Sequence, residues 1–95
     1  MGAYDSYKKQ VVDTAQSLTR KGFLMATGGN LSVRILGQKL FAITPSNYDY
    51  MKMTPDDVCI LDFELNRVEG TLPPSVESAM HGAIYQARPD VNAVA

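Results

Sequence analysis

Apolar residues recur at steps of three and four through Tyr4, Tyr7, Val11, Ala15 and Leu18, the stripe of an amphipathic helix, with Lys8, Lys9, Gln10, Asp13 and Arg20 on its other faces. Gly22 reads as the residue that ends this helix, and Phe23 and Leu24 as a return to the core. The period then changes to two. Leu31-Ser32-Val33-Arg34-Ile35 alternates like a strand with one face buried, Leu36 to Lys39 reads as a hairpin connection, and Leu40 to Ile43 as the returning strand, ended by Pro45. Thr54-Pro55-Asp56-Asp57 carries a helix-start signature compressed to one turn, because Val58 to Leu61 at once reads as a buried strand. Glu64 to Arg67 predicts a turn and Val68 to Gly70 a short strand. After the rigid Pro73-Pro74 connector, Ser75 predicts the cap of a second helix with Val76, Met80, Ala83, Ile84 and Ala87 inward. Arg88-Pro89-Asp90 stops it, and Val91 to Ala95 begins another strand. Helix, hairpin, strands, helix, strand is the order of an α/β or α+β layer built on a mainly antiparallel sheet.

Bulk properties narrow the function classes. Ninety-five residues suit one domain. A formal net charge of −1 with acids and bases interspersed offers no basic stripe for nucleic acid. The longest apolar runs fall well short of a membrane span, and the first residues lack a basic segment followed by an apolar one. The single Cys59, flanked by Val58, Ile60 and Leu61, reads as a buried thiol. These features together set the expectation of a cytoplasmic protein without a nucleic-acid or membrane partner.

Three polar segments interrupt the hydrophobic pattern. In Thr27-Gly28-Gly29-Asn30, consecutive glycines allow backbone N–H groups to converge on an anion, with the Asn30 amide and the Thr27 hydroxyl as further donors. The same residues also suit an ordinary tight turn. No Lys-Ser/Thr follows, and a strand rather than a helix comes next, so this is neither a nucleotide phosphate loop nor a dinucleotide fingerprint. Thr44-Pro45-Ser46-Asn47 ends a strand and presents the Ser46 and Asn47 donors, again with a plain turn as the alternative. Ser75-Val76-Glu77 places a carboxylate at a helix start, where the dipole favours an acid for purely structural reasons and where a general acid/base would also stand. His81, the only histidine, follows Glu77 by four residues. Two ligands do not make a catalytic zinc site, which takes three protein ligands, so His81 reads as a satisfied interior residue.

With these segments in order, the chain resembles the N-terminal part of the class II aldolase/adducin family. The likeness runs through Leu18 to Gly22, Thr27 to Arg34, Ile43-Thr44-Pro45-Ser46, Tyr50 to Asp56, Val68-Glu69-Gly70, Pro74-Ser75-Val76-Glu77, Met80-His81, and on to Asn92-Ala93-Val94. The resemblance implies a three-layer α/β/α fold with a central, mainly antiparallel sheet, residues 1–95 forming the N-terminal part of one domain. It implies reversible, zinc-dependent cleavage of a ketose 1-phosphate, such as fuculose 1-phosphate, to dihydroxyacetone phosphate and an aldehyde, usually by a homotetramer. Thr27, Gly29, Asn30, Ser46, Asn47 and Ser75 would then hold the substrate phosphate. Glu77 would be the catalytic acid/base, close enough to the zinc to ligate it at rest. His81 matches a position that is not a family zinc ligand. The expected zinc histidines, a His-x-His pair and a third much later, fall beyond Ala95, so the chain as written is expected to be a fragment that does not hold the metal alone. Two departures stand out: the family commonly has Gly where Asn47 stands and a second Ser where Val76 stands. A related sugar-phosphate 4-epimerase activity, a non-catalytic adducin-like scaffold and a plain phosphate-binding module are the alternatives. Glu77 favours the aldolase, since the epimerase pattern has Asp there.

Overall fold

The structure is a computed structural model that describes residues 2–24 and 29–95. Helix α1 spans Asp5–Arg20 and α2 spans Ser78–Ala87. Strands β1 (Ser32–Ile35), β2 (Leu40–Ile43), β3 (Cys59–Asp62), β4 (Arg67–Glu69) and β5 (Ala93–Val94) form one sheet in the order β4-β3-β2-β1-β5. Every neighbouring pair is antiparallel. Two 3-10 turns, Tyr50–Lys52 and Pro55–Asp57, lead from β2 to β3.

Strand alternation divides the core between the two sides of this sheet. Val33, Ile35, Ala42 and Ile60 meet Val11, Val12 and Ala15 of α1, together with Tyr50 and Met53. Phe41, Ile43, Cys59 and Leu61 point the other way and pack with Tyr85 of α2. The result is the expected α/β/α layering, with both sheet faces covered. Cys59 is fully buried, as the sequence indicated; burial pushes its thiol up, and its Sγ donates to the Leu72 carbonyl.

The end of α1 follows its sequence signal. Gly22 has φ +82°, its N–H bonds to the Thr19 carbonyl, and the Phe23 N–H reaches back to that of Leu18. This is a Schellman cap, which needs a residue tolerant of the left-handed region. Three expectations are corrected. Phe23 is 74% exposed rather than returned to the core, although Leu24 does pack against it. Lys8 is not on an outer face of α1 but buried, with its ammonium paired to Glu69. Ser32, on the polar side of the β1 alternation, is fully buried, because α2 covers the face that the pattern had left open.

The inward face of α2 is the largest correction. Val76 is 84% exposed and Met80 52%, whereas Ser78, His81, Gly82 and Tyr85 are buried. Those four also repeat at helical spacing, on a different face. Close approach selects them. A Cβ on Gly82 would come within 3.2 Å of the Phe63 carbonyl oxygen, so a larger residue would have to push the helix or that carbonyl a few tenths of an ångström apart, and glycine lets the helix lie this near. Arg34 of β1 holds the far end of the helix: its guanidinium donates to the carbonyls of Tyr85, Arg88 and Val91 and lies over the Tyr85 ring.

Candidate functional site

The loops after β2 and before α2 are joined backbone to backbone. The Ser46 N–H donates to the Pro73 carbonyl at 2.8 Å, the Ser75 N–H donates to the Thr44 carbonyl at 3.1 Å, and Pro45 and Pro74 stand opposite each other between them. Proline has no N–H to contribute, so the pairing falls to the flanking serines. The loop before β1 is tied to the same place by side chains. The Thr44 hydroxyl accepts from the Leu31 N–H at 3.3 Å, and the Tyr50 hydroxyl donates to the Gly29 carbonyl at 2.7 Å while lying 3.3 Å from Thr44 Oγ1. Tyr50 is buried and held as a neutral phenol, its pKa raised by that burial. Gln16 of α1 fixes the turn carrying Tyr50, donating to the carbonyls of Tyr50 and Met53.

A cavity of about 180 Å³ opens where the three loops converge, lined by Gly29, Asn30, Pro45, Ser46, Asn47, Ser75, Val76 and Glu77. It has space for a group the size of several waters. Six of the sequence-selected residues are therefore brought together: Gly29, Asn30, Ser46, Asn47, Ser75 and Glu77. The seventh, Thr27, lies outside the described residues. Gly29 has φ +80° and Asn47 φ +52°. The left-handed conformation at position 47 accounts for Asn where a Gly was expected, since both residues tolerate it.

Ser75 does not cap α2 directly. The helix begins at Ser78 with Glu77 as its N-cap residue, and Ser75 starts the turn before it. Its Oγ accepts from the Glu77 N–H at 3.1 Å, and its carbonyl accepts from the N–H and hydroxyl of Ser78. The acceptor role leaves the Ser75 O–H as a donor. Glu77, half-buried, is therefore the N-cap residue at the mouth of the helix instead of lying within its first turn.

Beneath the cavity lies a buried polar chain that the sequence pattern did not announce. His81 donates or accepts through both ring nitrogens: Nε2 faces Asn30 Oδ1, and Nδ1 lies 2.6 Å from Ser32 Oγ. Ser32 Oγ is in turn 2.6 Å from the Tyr85 hydroxyl. Burial lowers the His81 pKa, with the Glu77 carboxylate opposing it, so the ring is neutral near pH 7. The available signal was the spacing of His81, Gly82 and Tyr85 on one helix face, opposite the polar Ser32 of a strand.

Both nitrogens of His81 are thus committed to protein partners, as expected of an interior histidine rather than a metal ligand. Among the described residues no three His, Cys, Asp or Glu side chains cluster as a metal site would require. These residues offer Glu77 at the cavity and do not by themselves fit a zinc ion.

A larger groove of about 830 Å³ runs past Arg34, Lys39, Asp62, Phe63 and Gln86. It contains none of the sequence-selected residues. Two of its charged groups are already engaged, Arg34 by three carbonyls and Asp62 by the N–H groups of Glu64 and Asn66. The smaller cavity is the better candidate because its polar groups converge. Among the described residues no helix is long and apolar enough to cross a membrane.

Comparison with known proteins identifies the chain's relatives. The chain is 42% identical over 86 residues to an L-fuculose phosphate aldolase of Escherichia coli (strain K12), covering 90% of this chain and 39% of that protein. It is 36% identical over 87 residues to a 5-deoxy-D-ribulose 1-phosphate aldolase of Bacillus thuringiensis serovar kurstaki (92% and 41% covered). It is also 37% identical over 87 residues to an L-ribulose-5-phosphate 4-epimerase of Salmonella paratyphi B (92% and 38%). A solved L-fuculose 1-phosphate aldolase superposes with a TM-score of 0.88 at 34% identity, covering 98% of this chain and 43% of that one. The chain thus spans about two fifths of the length of these relatives. Residues 9–95 match the profile of the Class II Aldolase and Adducin N-terminal domain, and the chain belongs to that family.

Proposed function

We propose that this chain supplies the phosphate pocket and the acid/base of a class II aldolase that cleaves a ketose 1-phosphate to dihydroxyacetone phosphate and an aldehyde. One observation carries the reading: donors from three separate loops and one carboxylate line a single small cavity. The Asn30 amide, the Ser46 and Ser75 hydroxyls and the backbone around Gly29 would grip the phosphoryl oxygens. Thr27 and Asn47 would complete the pocket. Apart from the Glu77 carboxylate, this lining is uncharged and rich in donors, which suits an oxyanion held by oriented dipoles. Val76 contributes its backbone N–H in place of a second serine hydroxyl.

Glu77 is half-buried in the same lining, and a phosphate held by the donors away from it would keep its charge off the carboxylate while the sugar carbons pass it. There Glu77 would remove or return the proton at the carbon beside the carbonyl, a general acid/base step. A family zinc would polarise the carbonyl and hydroxyl oxygens of the substrate. Its other ligands would have to come from outside the described residues. The same reading includes a homotetrameric assembly and residues 1–95 as part of one catalytic domain on the strength of family membership, and a cytoplasmic location on that of the lone buried Cys59.

The test is an assay of the full gene product on ketose 1-phosphates, following release of dihydroxyacetone phosphate, beside its Glu77→Gln variant. Turnover that survives in Glu77→Gln removes the role given to that carboxylate. The 4-epimerase among the relatives supports a second reading, in which a pentulose 5-phosphate is inverted at C4 without release of an aldehyde. Substrate consumption without aldehyde would favour it. A product with neither activity nor phosphate binding would favour the scaffold.

A further inference from the structure

The chain Tyr85–Ser32–His81–Asn30 has a direction, and its buried end sets it. Tyr85 is 1% exposed and Ser32 fully buried, and the hydroxyls lie 2.6 Å apart. A phenol carries one proton, and among the described residues this hydroxyl's hydrogen-bond partner is Ser32 Oγ. If Tyr85 donates there, Ser32 must turn its own proton to His81 Nδ1. The neutral ring then carries its proton on Nε2 and donates to an acceptor, Asn30 Oδ1. The reverse order would leave the buried tyrosine proton without an acceptor among the described residues, which is unfavourable. An asparagine whose oxygen is taken inward presents its NH2 outward, and Asn30 lines the small cavity.

We propose that His81 is a positioning residue: through its bond to Asn30 Oδ1 it holds the side-chain amide with the NH2 toward the cavity, so that the site takes a phosphoryl oxygen there. Freed of this bond, the amide could turn its oxygen to the cavity and face the anion with a like partial charge. The inference rests on the phosphate reading above and deepens it. Three hydrogen bonds, none of them made to the ligand, would decide whether position 30 attracts or repels it.

Two measurements on the full gene product test the proposal and separate its failure from that of the phosphate reading. Long-range nitrogen–proton NMR correlations report the His81 tautomer without any ligand. The Nε2–H form is expected, and an Nδ1–H form overturns the orientation of the chain. Titration with inorganic phosphate, followed at the Asn30 side-chain NH2 signals, reports binding. His81→Leu is expected to weaken binding about tenfold. His81→Gln is expected to restore most of it, since its amide can donate to Asn30 and accept from Ser32. A folded His81→Leu chain that binds phosphate like wild type overturns the positioning role alone. A wild-type chain with the Nε2–H tautomer that binds no phosphate overturns the phosphate reading, and with it the use made of the Asn30 NH2. Should His81→Leu fail to fold, Ser32→Ala tests the same chain one link further in: unchanged phosphate affinity and tautomer there overturn the role.

Discussion

The backbone N–H of Ser75 donates to the carbonyl of Thr44, closing the loop before α2 onto the loop after β2. The Thr44 side chain works on the opposite side of the same junction, accepting from the Leu31 N–H and touching the Tyr50 hydroxyl. Thr44→Val keeps the shape and removes the acceptor, leaving a buried N–H unpaired. A loss of about 1–3 kcal/mol is expected. Urea unfolding should show it as a lower midpoint at an unchanged slope. Tyr50→Phe should cost less on its own, and the double variant should fall short of additivity because the two hydroxyls share one network.

Position 47 tests conformation apart from chemistry. Asn47 has φ +52°, in the region that β-branched residues avoid. Asn47→Gly should change stability by no more than about 0.5 kcal/mol, whereas Asn47→Val should lose about 1–2 kcal/mol. Thermal melts of the two variants side by side decide it. Equal losses would mean that the Asn47 side chain, rather than its backbone, matters here.

Arg34 fastens the end of α2 through carbonyls of Tyr85, Arg88 and Val91. Lysine keeps the charge but has no planar fork, so it cannot reach all three. Arg34→Lys is expected to destabilise the chain by about 1–3 kcal/mol. Amide hydrogen exchange should quicken first at Arg88 and Val91, whose N–H groups close the end of the helix. Uniform quickening across the sheet would refute a local clamp.

The depressed pKa of His81 makes stability depend on pH. Burial is the main cause, partly offset by the Glu77 carboxylate. The unfolded chain binds a proton to this histidine more readily than the folded one. The contribution is therefore complete above the ordinary histidine value of about 6.5 and is lost as pH falls below it toward the folded pKa. Denaturant midpoints should decline from about pH 7.5 to about pH 5.5 and decline less in His81→Gln. Asp62 and Asp90 also titrate low, but in the carboxylate range, so they leave this window alone.

Local signals in the sequence were mostly sound. The step from period three-and-four to period two located α1 and the β1–β2 hairpin, and Gly22 marked the end of the helix through its own backbone freedom. Pro74 and Ser75 were placed near a helix start, although the helix opens three residues after Ser75. Misreadings fell where a residue's environment came from elsewhere in the chain. Met80 and Val76 look like core and are exposed, while Lys8 and Ser32 look like surface and are buried.

From the sequence alone came the order of elements, the family resemblance and the residue types that could meet an anion. Those depend on chain-local sterics and on side-chain chemistry, which a string of residues carries in full. Which face of α2 turns inward, and which partners His81 takes, depended on how closely Gly82 lets the helix approach the sheet. Such choices are settled by packing between segments some fifty residues apart, and no periodicity within either segment encodes them. The convergence of Asn30, Ser46, Ser75 and Glu77 on one cavity is of the same kind: it exists because backbone bonds between loops, not neighbours in sequence, hold those loops together.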